Sequence, residues 1–126
     1  MLTLICGLPR VGKTTYAIQF PDVIHLDTSG GYQGVLRRLQ HKDGDLIVEG
    51  VYHLQGQRER LIKAYNGESF KCIWLDTPHE IRKARKGWDK FCDLPFEPPT
   101  FSEGWDEIII IRGEHDVQSY RNENKT

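Results

Sequence analysis

Eight residues near the amino terminus, Gly7-Leu8-Pro9-Arg10-Val11-Gly12-Lys13-Thr14, constrain this chain more than any other feature in it. They satisfy the pattern G-x-x-x-x-G-K-[ST]. They also stand in the required context, between an apolar run (Leu2–Cys6) and a segment with helical periodicity, Thr14 to Phe20. The spacing has a physical reason. Glycines at 7 and 12 let the backbone wrap so that successive N–H groups point into one concavity. A helix starting near Lys13 adds its positive end to the same spot. Such a loop binds the phosphates of a nucleoside triphosphate, with Lys13 reaching the β- and γ-phosphates and the Thr14 hydroxyl ligating Mg2+. The expected nucleotide-binding stretch is Gly7, Leu8, Pro9, Arg10, Val11, Gly12, Lys13, Thr14 and Thr15.

The rest of the chain supplies a scaffold of matching type. Five short apolar runs, Leu2–Cys6, Val23–Leu26, Leu46–Val48, Cys72–Leu75 and Ile108–Ile111, are continuous and rich in Ile, Leu and Val. Strands buried on both faces read this way, which predicts a parallel sheet covered by helices. Helices are expected over 14–20, 34–40 and 57–65, each with apolar residues on one face. A fourth should run from Thr77-Pro78, with Glu80 in its first turn, to Lys86, where Gly87 ends it. Pro95, Pro98 and Pro99 forbid regular helix between 87 and 104, so a loop is expected there. The predicted fold is α/β, a minimal five-stranded parallel sheet flanked by helices, filling 1–112. The polar stretch 113–126 is expected to fray.

Composition bounds the function. The chain has 126 residues and a formal net charge of −1, so no global field advertises a polyanionic partner. Basic residues do cluster locally: Arg82, Lys83, Arg85, Lys86 and Lys90 face only Glu80 and Asp89. That run suits either a solvated helix face or a phosphate-facing one. No apolar run approaches the ~18 residues of a membrane span. Lys13 and the glycines interrupt the first apolar stretch, so no leader is expected. Cys6 and Cys72 lie inside apolar runs and read as core residues of a cytoplasmic protein. An N-K-x-D guanine-reading motif is absent, and the length leaves no space for the sensor segments of larger ATPases. A small phosphotransferase fits.

Further segments carry a resemblance. His25-Leu26-Asp27-Thr28 ends the second strand with an aspartate. Leu46-Ile47-Val48-Glu49-Gly50 is followed by Arg58 and Arg60, and Ile73-Trp74-Leu75-Asp76-Thr77-Pro78 leads into Arg82 and Arg85. Phe96-Glu97-Pro98-Pro99-Thr100-Phe101-Ser102-Glu103-Gly104-Trp105 is like an F-x-x-P-x-x-x-E-G-F stretch. With the glycine loop, these make the chain resemble the P-loop kinases of the 5′-hydroxyl polynucleotide kinase type, including phage relatives, over residues 1 to about 111.

The resemblance implies roles. Asp27 is then the general base toward the attacking hydroxyl, with a turn or cap role before Ser29-Gly30-Gly31 as its other reading and Ser29 as a lesser candidate. Glu49 is the acid near the Mg2+ waters, in competition with Asp76. Arg85, with Arg82 second, is the lid arginine that joins Lys13 in neutralising the transferring phosphoryl group. Arg58 and Arg60 are candidates to hold an acceptor phosphate, with surface salt bridges to partners such as Glu59 as their other reading. Tyr32 and Tyr52, with His53 and Trp88, either stack on a base or simply pack. Trp105 reads as core. The implied cofactors are ATP and Mg2+, and the implied acceptor is a 5′-hydroxyl end of DNA or RNA. A nucleoside, nucleotide or other small metabolite is the alternative acceptor, and a non-catalytic nucleotide-binding module is a second alternative. One departure bears on the acceptor side: the basic residue usual after the base aspartate is replaced by Gly30-Gly31-Tyr32, with Arg37 and Arg38 following.

Overall fold

Each apolar run becomes a strand because both of its faces are claimed. A computed structural model describes residues 1–123. Its strands are β1 (Leu2–Cys6), β2 (Ile24–His25), β3 (Leu46–Gly50), β4 (Phe70–Leu75), β5 (Glu107–Gly113) and β6 (Asp116–Arg121). The helices are α1 (Lys13–Ala17), α2 (Gly31–Gln40), α3 (Gln55–Ala64) and α4 (His79–Lys83). Short 3-10 turns cover Leu26–Thr28, Lys90–Cys92 and Phe101–Glu103. Helix α1 stops before Phe20 because Pro21 disfavours helical geometry in the residue before it.

The strands lie in the order β2-β3-β1-β4-β5-β6. The pairs joining β1 to β5 are parallel, and β6 runs antiparallel to β5. The sheet is therefore mixed and six-stranded, which corrects the expectation of five parallel strands. It also corrects the frayed tail: after a tight turn at Glu114-His115, Val117 pairs with Ile111 and Tyr120 with Ile108. Every β6 side chain is exposed. The strand is held by backbone bonds at an edge, so its polar sequence carried no burial pattern to find. The last residues of the tail, 124–126, lie outside the described residues.

Period-two alternation sorts the strand residues to the two faces. Leu2, Leu4 and Cys6 of β1 meet Val35 and Leu39 of α2, Leu61 of α3 and Trp105 in one core. Ile5, Ile73 and Leu75 meet Val11 and Ala17 on the opposite face. Full burial of such side chains contributes roughly 1.5–3 kcal/mol each before entropy is charged. Cys6 and Cys72 are buried in the first core with their sulfurs 3.7 Å apart. Burial pushes the Cys72 thiol well up, which keeps it protonated. Helix α1, after β1, and helix α3, after the neighbouring β3, thus lie on opposite faces, and such a divergence opens a crevice beyond the strands' carboxyl ends. Cys6 pairs with Gly50 and Trp74, so Gly7, Val51 and Leu75 all emerge at that edge. Among the described residues, no helix is long and apolar enough to cross a membrane.

Candidate active site

Between β1 and α1 the backbone adopts conformations that side chains resist. Gly12 is left-handed at φ 94°, and Arg10 joins it at φ 68°. A Cβ on Gly7 would stand 2.6 Å from the Leu75 carbonyl oxygen and 2.8 Å from Val11 Cγ2, so β4 packs directly on the first residue of the loop. The Thr77 hydroxyl, just after β4, donates to the Val11 carbonyl at 3.1 Å and fixes the loop's far side. The outcome is a closed curl of main chain ending on α1.

Lys13 leans back over this curl, and its Nζ donates to the Leu8 carbonyl at 3.0 Å. Burial lowers its pKa below the ordinary 10.5, while Glu49, then Cys6 and Asp27, pull it partly back up. An incoming anion would do the same and more, since opposite charge favours the ammonium form.

A cavity of about 960 Å³ opens above the loop, lined among others by Lys13, Thr14, Asp27, Glu49 and Arg85. Of the stretch expected to bind nucleotide, residues 9 to 15 line this cavity. Gly7 lies against β4 instead, and Leu8 packs on the α1-side core. Asp27 sits exposed in the turn after β2, and Arg85 reaches across from beyond α4 to donate to the Arg10 carbonyl at 2.6 Å.

The two carboxylates left open by the sequence part company. Glu49, at the end of β3, is buried and lines the cavity, and His25 Nδ1 donates to its Oε2 at 2.8 Å. Asp76 turns away to Arg112, whose Nε donates to it at 3.0 Å. Ser29 closes its own turn, donating to the His25 carbonyl at 2.7 Å. His25 escaped the sequence reading of the site. It is set opposite Glu49 only by the β2–β3 register, which spacing along the chain does not reveal.

Two arginines considered for substrate are spent on the protein itself. Arg82, the second choice for a lid role, is buried and paired with Asp93 at 2.6 Å. It also donates to the Pro9 and Cys92 carbonyls, tying the segment after α4 to the glycine loop. Arg58 is fully buried, and its Nε and Nη2 donate to Glu103 at 2.7 and 3.0 Å. The remaining contacts go to the carbonyls of Tyr52, Glu97 and Pro98. That corrects its assignment as an acceptor-phosphate ligand, because every face of the guanidinium is met by chain. One signal pointed to the partner: Thr100-x-x-Glu103 is a capping box, and Glu103 closes it here.

The other acceptor-side residues do gather. Tyr32, Tyr52 and Arg60 line a second cavity of about 320 Å³ beside α2 and α3. Trp88 lies apart, against His79 and Lys83.

For a divalent cation the donor set is modest. Thr14 offers a hydroxyl and Glu49 a carboxylate, both hard oxygens of the type Mg2+ takes, and the ion characteristically keeps waters and substrate phosphates as its other ligands. Among the described residues, no group of three or more His, Cys, Asp or Glu is placed to hold a metal by itself. The residues present thus fit an ion that arrives with a phosphate ligand.

No family model and no curated protein matches the chain. Among solved structures, the crystal structure of APE1195 is similar, with a TM-score of 0.64 at 22% sequence identity. The match covers 92% of this chain and 86% of that one. It establishes the architecture: an α/β fold with a mixed six-stranded sheet flanked by helices.

Proposed function

We propose that the chain is an ATP-dependent phosphotransferase of the P-loop kinase class that moves the γ-phosphate to the 5′-hydroxyl of a polynucleotide. One observation carries the reading: Lys13 and Arg85 converge on the glycine loop, and Asp27 and Glu49 line the same cavity. The position of β1 between β3 and β4 supports it, because the loop and the Glu49 strand end then share one crevice. Asp27 takes the proton of the attacking hydroxyl as the new P–O bond forms and the bond to the ADP oxygen breaks. Lys13 exchanges the Leu8 carbonyl for phosphate oxygens, and Arg85 exchanges the Arg10 carbonyl likewise. Thr14, with Glu49 through a water, would hold Mg2+, which would supply charge neutralisation on the phosphates. Incubation with γ-labelled ATP and a 5′-hydroxyl oligonucleotide tests the reading. Label at the 5′ end is the expected result, and an unlabelled oligonucleotide removes this acceptor.

A small acceptor is the second reading, favoured by the modest size of the cavity beside the crevice. Salt separates the two, since several strand-phosphate contacts make binding fall steeply with salt and a small acceptor gives a shallow slope.

A further inference from the structure

Asp27 hangs from a very short strand. Strand β2 lies at the edge of the sheet and has two residues, Ile24 and His25, each paired with one residue of β3. Ile24 meets Val48 in the core beneath α2 and α3, so burial of apolar surface chooses the register. The next pair is then forced. His25 stands opposite Glu49 on the other face of the sheet, because successive side chains alternate between faces. A slip of one residue would bury the imidazole and turn Ile24 toward the carboxylate.

The pair does more than close a strand. His25 Nδ1 donates to Glu49 Oε2 at 2.8 Å, and an ionised carboxylate only accepts, which assigns the proton to Nδ1. The Glu49 side chain is 9% exposed and the His25 side chain 37%, so the histidine supplies a donor to a carboxylate that has lost most of its hydration. The main chain of the same histidine holds the turn of the other carboxylate. Its carbonyl accepts from the Ser29 hydroxyl at 2.7 Å and from the Thr28 hydroxyl at 3.5 Å, across the 3-10 turn Leu26–Thr28. Leu26 seats that turn on the residue after Glu49, since a Cβ on Gly50 would stand 2.7 Å from Leu26 Cβ. Asp27 and Glu49 both line the transfer cavity, and both act on the Lys13 ammonium. His25 is not part of that wall. It touches the groups that are.

We infer that His25 is a positioning residue for phosphoryl transfer: its imidazole N–H fixes the Glu49 carboxylate at the cavity wall and, through the same bond, fixes the start of the turn that carries Asp27. The inference rests on the phosphotransferase reading and on the roles it gives those two carboxylates. One side chain outside the cavity thereby sets the spacing between the acid toward Mg2+ and the base toward the attacking hydroxyl. Such spacing matters, because misplacing a catalytic group by ~1 Å can cost ~10²-fold in rate. The working part is the N–H at Nδ1. Asparagine offers the same donor, since its amide nitrogen lies as many bonds from the backbone as Nδ1 does.

His25→Ala and His25→Asn in the full chain test the inference. ATP is titrated calorimetrically with Mg2+ and with a chelator in its place, and transfer from γ-labelled ATP to a 5′-hydroxyl oligonucleotide is followed in parallel. His25→Ala should lower kcat about 10–100-fold, the usual effect of removing a partner that orients a metal-site group, and should shrink the gain in ATP affinity that Mg2+ brings. Metal-free ATP affinity should hold, because Lys13 and the loop amides carry it. His25→Asn should restore most of both losses. In a Glu49→Ala background, His25→Ala should add no more than about twofold, since its effect passes through that carboxylate. A kcat and a Mg2+ gain that His25→Ala leaves untouched overturn the inference. So does an asparagine variant as impaired as the alanine one, a loss of metal-free ATP binding, or the full loss repeated on top of Glu49→Ala. If the parent moves no label, the phosphotransferase reading falls. His25 is then judged on the Mg2+ gain alone, which must be present in the parent and shrink in His25→Ala.

Discussion

Arg85 Nη1 donates to the Arg10 carbonyl at 2.6 Å, and the same nitrogen lies 3.5 Å from where a Cβ on Gly12 would stand. The guanidinium therefore rests at the mouth of the loop, between two residues in left-handed conformation. Its present partner is a neutral carbonyl on an exposed surface. A phosphate oxygen makes the stronger, charge-assisted bond in the same place.

Arg85→Ala should accordingly lower kcat by about 10³-fold or more, the lower end of the effect of an arginine on a transferring phosphoryl group. Mg·ATP affinity should change little, because Lys13 and the loop amides remain. Single-turnover transfer and ATP titration on the same variant check both parts. A loss confined to ATP affinity would place Arg85 in ground-state binding instead.

Asp27→Asn keeps the shape of the turn after β2 and removes the proton acceptor. Loss of a general base costs about 10²–10⁴-fold, so kcat should fall within that range with KM for ATP unchanged. An unchanged rate would leave the aspartate as a turn residue.

Arg58→Ala should destabilise the protein by about 3–5 kcal/mol, the usual cost of stranding one partner of a buried ion pair. Urea unfolding measures it. The double variant Arg58→Met/Glu103→Leu should not recover the parent's stability, because the carbonyls of Tyr52, Glu97 and Pro98 still lose their donor. Full recovery would show that the charge pair alone mattered.

How far the chain could be read in advance follows from what kind of interaction each residue makes. The glycine loop was legible because its constraint is local: the turn, the lysine and the helix start are contiguous. The parallel strands were legible because burial on both faces leaves a continuous apolar run. Arg58 was misassigned for the opposite reason. A basic residue on a helix looks alike whether it meets a ligand or the protein, and its partner Glu103 lies far along the chain. Strand β6 was missed since an exposed edge strand writes no hydrophobic pattern. Glu49 and Asp76 were equivalent as strings, and it is the fold that separates them, with Glu49 buried on the cavity wall beside His25 and Asp76 turned to Arg112.

The Lys13 ammonium gives a pH signature of known sign. Burial lowers its pKa in the folded chain below the 10.5 of an ordinary lysine. Between those two values the unfolded chain holds more protons than the folded one, so stability from this group rises with pH. In urea unfolding from pH 7 to 10.5, the stability of the parent minus that of Lys13→Met should therefore rise with pH. A difference that falls with pH would contradict the burial effect. Mg·ATP binding should run the other way, weakening as the ammonium loses its proton.

The Arg58–Glu103 pair also sets an order of assembly. On the ribosome the guanidinium is made long before the carboxylate that neutralises it, and the carbonyls it serves at Glu97 and Pro98 emerge only shortly before that carboxylate. A nascent chain ending before Glu103 would have to entomb an uncompensated cation beneath α3. Docking of that helix therefore waits for the proline-bearing segment, and the last third of the polypeptide acts as the latch that lets the first two thirds close.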